Sequence, residues 1–79
     1  MGIAASEKEL AARASRFLKA ELKRAGVTYA ELAKRLKNHG LEETEASVTS
    51  KLARGTFAAT FLLAALAALE MEGLRLEDL

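Results

Sequence analysis

A hydroxyl residue stands ahead of each helix-forming stretch of this 79-residue chain, and a glycine stands behind it. Ser6 and Gly26 bracket the first stretch, Thr28 and Gly40 the second, and Thr44 and Gly55 the third. The fourth lies within Thr56–Met71, ahead of Glu72-Gly73. Hydroxyl oxygens accept from the backbone N–H groups that a helix leaves bare in its first turn, and glycine takes the left-handed conformation that ends it. Glu9 after Ser6 and Glu31 after Thr28 complete two capping-box patterns. The punctuation predicts helices at about 6–25, 28–38, 44–53 and 57–71, with a terminal turn over 74–79.

The residues between these marks agree with it. Ala and Leu fill 31 of the 79 positions, while Val, Ile and Thr together number only eight. That leaves too few β-branched residues for a sheet and an abundance of the strongest helix formers. The expectation is an all-α, compact four-helix domain, one domain over residues 1–79, near the lower size limit for an independent core. Leu10, Ala14, Phe17, Leu18, Leu22 and Ala25 form the inward stripe of the first helix. Leu32, Ala33 and Leu36 serve the second, and Val48 and Leu52 the third. The fourth is apolar nearly all round and is expected at the centre. Its uncharged stretch, Gly55–Leu69, has 15 residues, short of the roughly 20 a membrane span needs. No membrane association is expected.

Several chemistries are excluded at once. Without cysteine there are no disulfides, thiolate metal sites or cysteine nucleophiles, and the lone histidine, His39, rules out a multi-histidine metal centre. No nucleophile–base constellation marks an enzyme, and neither metal nor cofactor is expected. His39, between Asn38 and Gly40, reads as a helix C-terminal residue favoured by the dipole. Met1–Ser6 fits the short N-myristoylation pattern. No basic stretch precedes an apolar one, so no signal peptide is read and a cytoplasmic location is expected.

Charge is distributed unevenly. Residues 13–37 carry Arg13, Arg16, Lys19, Lys23, Arg24, Lys34, Arg35 and Lys37 against Glu21 and Glu31, a net +6 in a chain whose total is +1. Residues 70–79 are net −3. Such asymmetry turns one surface toward an anionic partner. The basic stripe of the first helix, from Arg13 to Arg24, reads either as a solvated outer face or as a set of phosphate contacts.

At about 100° per residue, Val48 and Leu52 set the inward direction of the third helix. Ala46, Ala53, Ser50, Arg54 and Ser47 then point away, with Lys51 on the flank. A solvated face is ordinarily laden with Glu and Lys, whereas this one is small and hydroxylic and ends in two cations. Small side chains allow close backbone approach, and Ser, Lys and Arg donate to phosphates and base edges.

Tyr29-Ala30-Glu31-Leu32-Ala33-Lys34-Arg35-Leu36, then Ser50-Lys51-Leu52-Ala53-Arg54-Gly55, then Ala65-Leu66-Ala67-Ala68-Leu69 resemble the lambda-repressor-like (XRE-type) helix-turn-helix superfamily. The stretch from Ala12 to Leu69, Arg13–Gly26 and Ser47–Phe61 above all, is also similar to a small bacterial family of uncharacterised domains of this type. The resemblance implies a small bacterial DNA-binding or transcription-regulatory protein, nucleoid-associated, that places its third helix in the major groove of double-stranded DNA as a homodimer. It carries recognition roles onto Ser47, Ser50, Lys51 and Arg54, and backbone contacts onto Thr28, Tyr29, Lys34 and Arg35.

Two departures from the family pattern open an alternative. The turn from Lys37 to Thr44 is several residues longer than the family's, and Glu42, Glu43 and Glu45 cluster where the third helix would enter the groove. Either the docking shifts so that Lys51 and Arg54 lead, or the same fold serves as a protein–protein interaction module that does not bind DNA. Phe57, Phe61 and Leu62 on the fourth stretch are the expected dimer interface, since its apolar surface exceeds what one small bundle readily hides.

Overall fold

The computed structural model describes residues 6–79. The Met1–Ser6 acylation pattern therefore lies, apart from Ser6, outside the described residues. Four α-helices are present: α1 Glu7–Ala25, α2 Tyr29–Leu36, α3 Glu45–Arg54 and α4 Ala59–Ala68. Single 3₁₀ turns follow α2 at Lys37–His39 and close the chain at Leu76–Asp78. The domain is all-α, with no strand among the described residues.

The hydroxyl marks begin the first three helices as expected. The side chains of Ser6, Thr28 and Thr44 accept from the backbone N–H of Glu9, Glu31 and Ser47. Only Thr44 is shown in a reciprocated capping box, with the Ser47 hydroxyl accepting the Thr44 N–H at 2.8 Å. Glu31 turns instead to Arg35, one helical turn on, at 3.0 Å. Thr56 caps nothing: α4 starts two residues later than expected, behind Ala58, without a side-chain cap.

The far end of α4 also departs from expectation. Gly73 does not end it. The helix stops after Ala68, and Glu70 takes the left-handed position at φ 60°. The Glu70 N–H bonds to Ala67 O at 2.9 Å and the Met71 N–H to Leu66 O at 3.0 Å, the paired bonds of a Schellman ending. The apolar run is exhausted at Leu69, so continued helix would bury nothing.

Eight side chains are at most 1 % exposed: Leu18, Leu22, Leu32, Leu36, Val48, Leu52, Phe61 and Ala65. α2 is the hub, packed against both α3 and α4, while α1 packs against α3. This corrects the expectation that α4 is central. Phe61, Ala64, Ala65, Leu66 and Ala68 of α4 are buried, but Leu63 is 64 % exposed. The α1 stripe is likewise narrower than expected. Leu10 and Ala25 are exposed and Ala14 and Phe17 half-buried, because a 19-residue helix of about 28 Å outruns partners of eight and ten residues. In the terminal turn Leu74 and Leu79 are half-buried and Leu76 is exposed. Arg13 holds that turn on α1 by donating to Leu79 O at 3.4 Å.

Candidate functional site

The outward face of α3 is built as the helical wheel requires. Val48 and Leu52 are buried, and Ala46, Thr49, Ser50, Ala53 and Arg54 are exposed. Arg54 donates from Nη1 to Ser50 Oγ at 3.1 Å, which fixes the guanidinium along the helix surface. Gly55 ends the helix at φ 76°, and its N–H returns to Lys51 O at 3.0 Å.

Two of the four expected recognition residues are engaged elsewhere. The Ser47 hydroxyl donates to Glu43 Oε1 at 2.6 Å, and Lys51 Nζ donates to both Glu43 carboxylate oxygens at 2.9 Å. Lys51 Nζ also sits 5.6 Å from the centre of the Phe61 ring. The Glu43 side chain is 10 % exposed and the Lys51 side chain 28 %. Burial acts to raise the Glu43 carboxyl, but the hydrogen bonds from Ser47 and Lys51 and the lysine charge prevail and hold its pKa below the usual value. Glu43 thus draws Ser47 and Lys51 to the flank of α3 and seats the segment before it on the core. Of the three clustered acids it alone is withdrawn; Glu42 and Glu45 are exposed.

The expected backbone-contacting residues divide similarly. Thr28 caps α2. Tyr29 is half-buried against the core, and Lys34 is exposed. Arg35 is a structural tie: its Nε pairs with Glu31, and its Nη1 donates to Ala68 O at 3.0 Å, joining α2 to the end of α4. Of the expected interface residues, Phe61 is 1 % exposed and belongs to the core, meeting Phe57 at 5.2 Å between ring centroids. Phe57 and Leu62 are half-buried and pack on that core. The large apolar side chain that α4 does present is Leu63.

Sequence reasoning missed a groove where α1 crosses the C-terminal end of α3. It encloses about 760 Å³, with Lys8, Arg16, Lys19 and Arg54 among its lining residues. Two contacts set its depth. The buried Ser15 hydroxyl donates to Leu52 O, and a Cβ on Gly55 would lie 3.1 Å from Ala11 O. The α1 cations were visible as a stripe, but only the crossing brings them beside Arg54.

Among the described residues Arg13, Arg24, Arg35, Lys51 and Arg75 form ion pairs with Glu9, Glu21, Glu31, Glu43 and Glu77. The four cations of the groove form none.

Four helices about one core, with an uncommitted basic groove and a small-residue helix face, define a compact all-α domain. No single helix among the described residues is long and apolar enough to cross a membrane. The chain belongs to the family described as domain of unknown function DUF6471, whose model matches residues 10–74. No curated protein and no solved structure matches the chain at a significant level.

Proposed function

We propose that this domain is a small bacterial DNA-binding, transcription-regulatory protein of the lambda-repressor-like helix-turn-helix kind, acting as a homodimer on double-stranded DNA without catalysis or a bound cofactor. The observation that carries this reading is the outward face of α3. It exposes Ala46, Thr49, Ser50, Ala53 and Arg54, with Glu45 in its first turn the one acid of the helix. Withdrawal of Glu43 removes one of the three charges that would repel phosphate at this end. Ser50 and Arg54 lead the contact, and Lys34 is an exposed cation for the backbone. Ser47 and Lys51 support α3 from its flank rather than reading bases.

A second reading, a protein-interaction module, is favoured by Leu63. It stands 64 % exposed on a helix without charge, where a solvated face would carry polar groups.

Fluorescence anisotropy of the protein with mixed-sequence duplex DNA at low salt separates the two. The DNA reading expects binding that weakens about tenfold or more in Arg54→Glu, through loss of a contact and gain of a repulsive charge. Absence of binding at low salt overturns it. Sedimentation of Leu63→Glu then tests whether α4 is an association face.

A further inference from the structure

We infer that the groove between α1 and the C-terminal end of α3 is a phosphate-backbone site for duplex DNA. The domain then grips DNA along α1 as well as α3, largely without regard to base sequence. The inference rests on the DNA-binding reading above and deepens it.

Its first support is selective neutralisation. Arg13, Arg24, Arg35 and Lys51 are each paired with a glutamate of this chain, but Lys8, Arg16, Lys19 and Arg54 are not. Glu7 is the single acid among the residues lining the groove. Lys23, Lys34 and Lys37 are also outside the ion pairs of the described residues, but four of these seven cations line this one concavity.

The floor is the second support. Ala11, Ala12, Ala53 and Gly55 present almost no side chain, so a sugar-phosphate strand can approach the helix backbones. From Lys8 to Lys19 the groove runs about 16 Å along α1.

Base readout is correspondingly thin. Glu43 holds Ser47 and Lys51, which leaves Ser50 and Arg54 as the exposed donors in the second half of α3. Specific recognition rests on several convergent base-edge donors, while phosphate contacts carry affinity without sequence information. No aromatic residue lines the groove, and single strands are gripped by base stacking on aromatic rings. The geometry therefore favours a duplex over a single strand.

The test uses the full chain and three probes: two duplexes of unrelated sequence and one single strand. Arg16→Gln/Lys19→Gln removes two exposed cations and keeps helix-forming side chains, and circular dichroism checks the fold. Each phosphate contact contributes about 0.9 to the slope of log affinity against log salt, so the double variant should flatten that slope by about 2. Between about 50 and 200 mM salt the variant then loses about tenfold less affinity than the parent. Both duplexes should weaken by the same factor, and the single strand should bind less tightly than either.

An unchanged slope in the double variant, with Arg54→Glu still weakening binding about tenfold or more, overturns the groove and leaves the α3 reading standing. Tighter binding of the single strand, or a difference of about a thousandfold between the duplexes, also overturns it. Absence of binding to every probe at low salt overturns both readings.

Discussion

Gly26 and Gly55 hold nearly the same left-handed backbone, at φ 72° and 76°, yet differ in what a side chain would meet there. Alanine at either position carries a penalty of about 1–2 kcal/mol for an L-residue in that conformation. Stiffening of the unfolded chain returns about 0.4–1 kcal/mol. At Gly26 the new methyl enters open space, so the net loss is about 1 kcal/mol. At Gly55 it lies 3.1 Å from Ala11 O and 3.4 Å from Ala11 C, both backbone atoms of α1. Relief requires two helices to part by a few tenths of an ångström against the buried Ser15–Leu52 bond. Overpacking of that kind costs about 1–3 kcal/mol more, for a total near 2–4 kcal/mol. Urea unfolding of the parent and both variants measures the difference, and a common slope shows that only stability has changed. In a thermal scan the excess at Gly55 corresponds to roughly 5–15 °C. Equal losses within about 0.5 kcal/mol would refute the reasoning, because the α1–α3 crossing would then yield without cost.

Glu43→Gln should cost about 1–2 kcal/mol at neutral pH, a value reduced from that of a fully buried charged hydrogen bond because Lys51 is 28 % exposed. The Glu43 pKa is lowered in the folded state, so its contribution is present above the unfolded value and lost as pH falls through the folded one. The gap between parent and variant should therefore hold from neutral pH down to near the ordinary carboxyl value of 4.5 and close as pH falls below it, and a pH-independent gap in urea midpoints would contradict the assignment. Glu70→Gly should stabilise the protein by about 0.5–1 kcal/mol, since it relieves the φ 60° backbone of a residue with a Cβ. A thermal midpoint below the parent's would refute that. Phe61→Ala should cost about 3–5 kcal/mol, the range for emptying a buried aromatic site, and a loss below 1 kcal/mol by denaturation would remove Phe61 from the core.

The helix boundaries were legible wherever chemistry marks them. Ser6, Thr28 and Thr44 are caps because a short hydroxyl side chain suits the first turn, and Gly26 and Gly55 stop helices because their φ is positive. The end of α4 was hidden because glutamate, which announces no stop, takes the left-handed position. Phe57 and Phe61 looked like neighbours on one helical face; Phe57 precedes α4, so the pair is set by the loop and turned inward.

On α3 the division between Val48 and Leu52 inside and Ser50 and Arg54 outside followed from periodicity alone. The capture of Lys51 by Glu43 did not, for the two are eight residues apart and meet only because the 41–44 segment folds back along the helix. A signal was nonetheless present: Glu43, Ser47 and Lys51 recur at four-residue intervals, the spacing of neighbours along one helix face. The groove was illegible for a related reason, since it depends on a crossing between helices far apart in sequence.

Leu52 O is among the last carbonyls of α3, groups that a helix end deprives of their usual partner. The hydroxyl that answers it comes from Ser15, 37 residues earlier and on another helix. Terminal turns usually fray at little cost and exchange their amide hydrogens early. Here fraying the end of α3 breaks a buried bond to α1, so the two segments open as one cooperative unit. Amides around Ser15 and Leu52 should share one exchange free energy. Until that unit opens, the backbones that carry Arg16 and Arg54 stay docked on one another, so on the proposed reading a polyanion would meet cations mounted on one rigid frame.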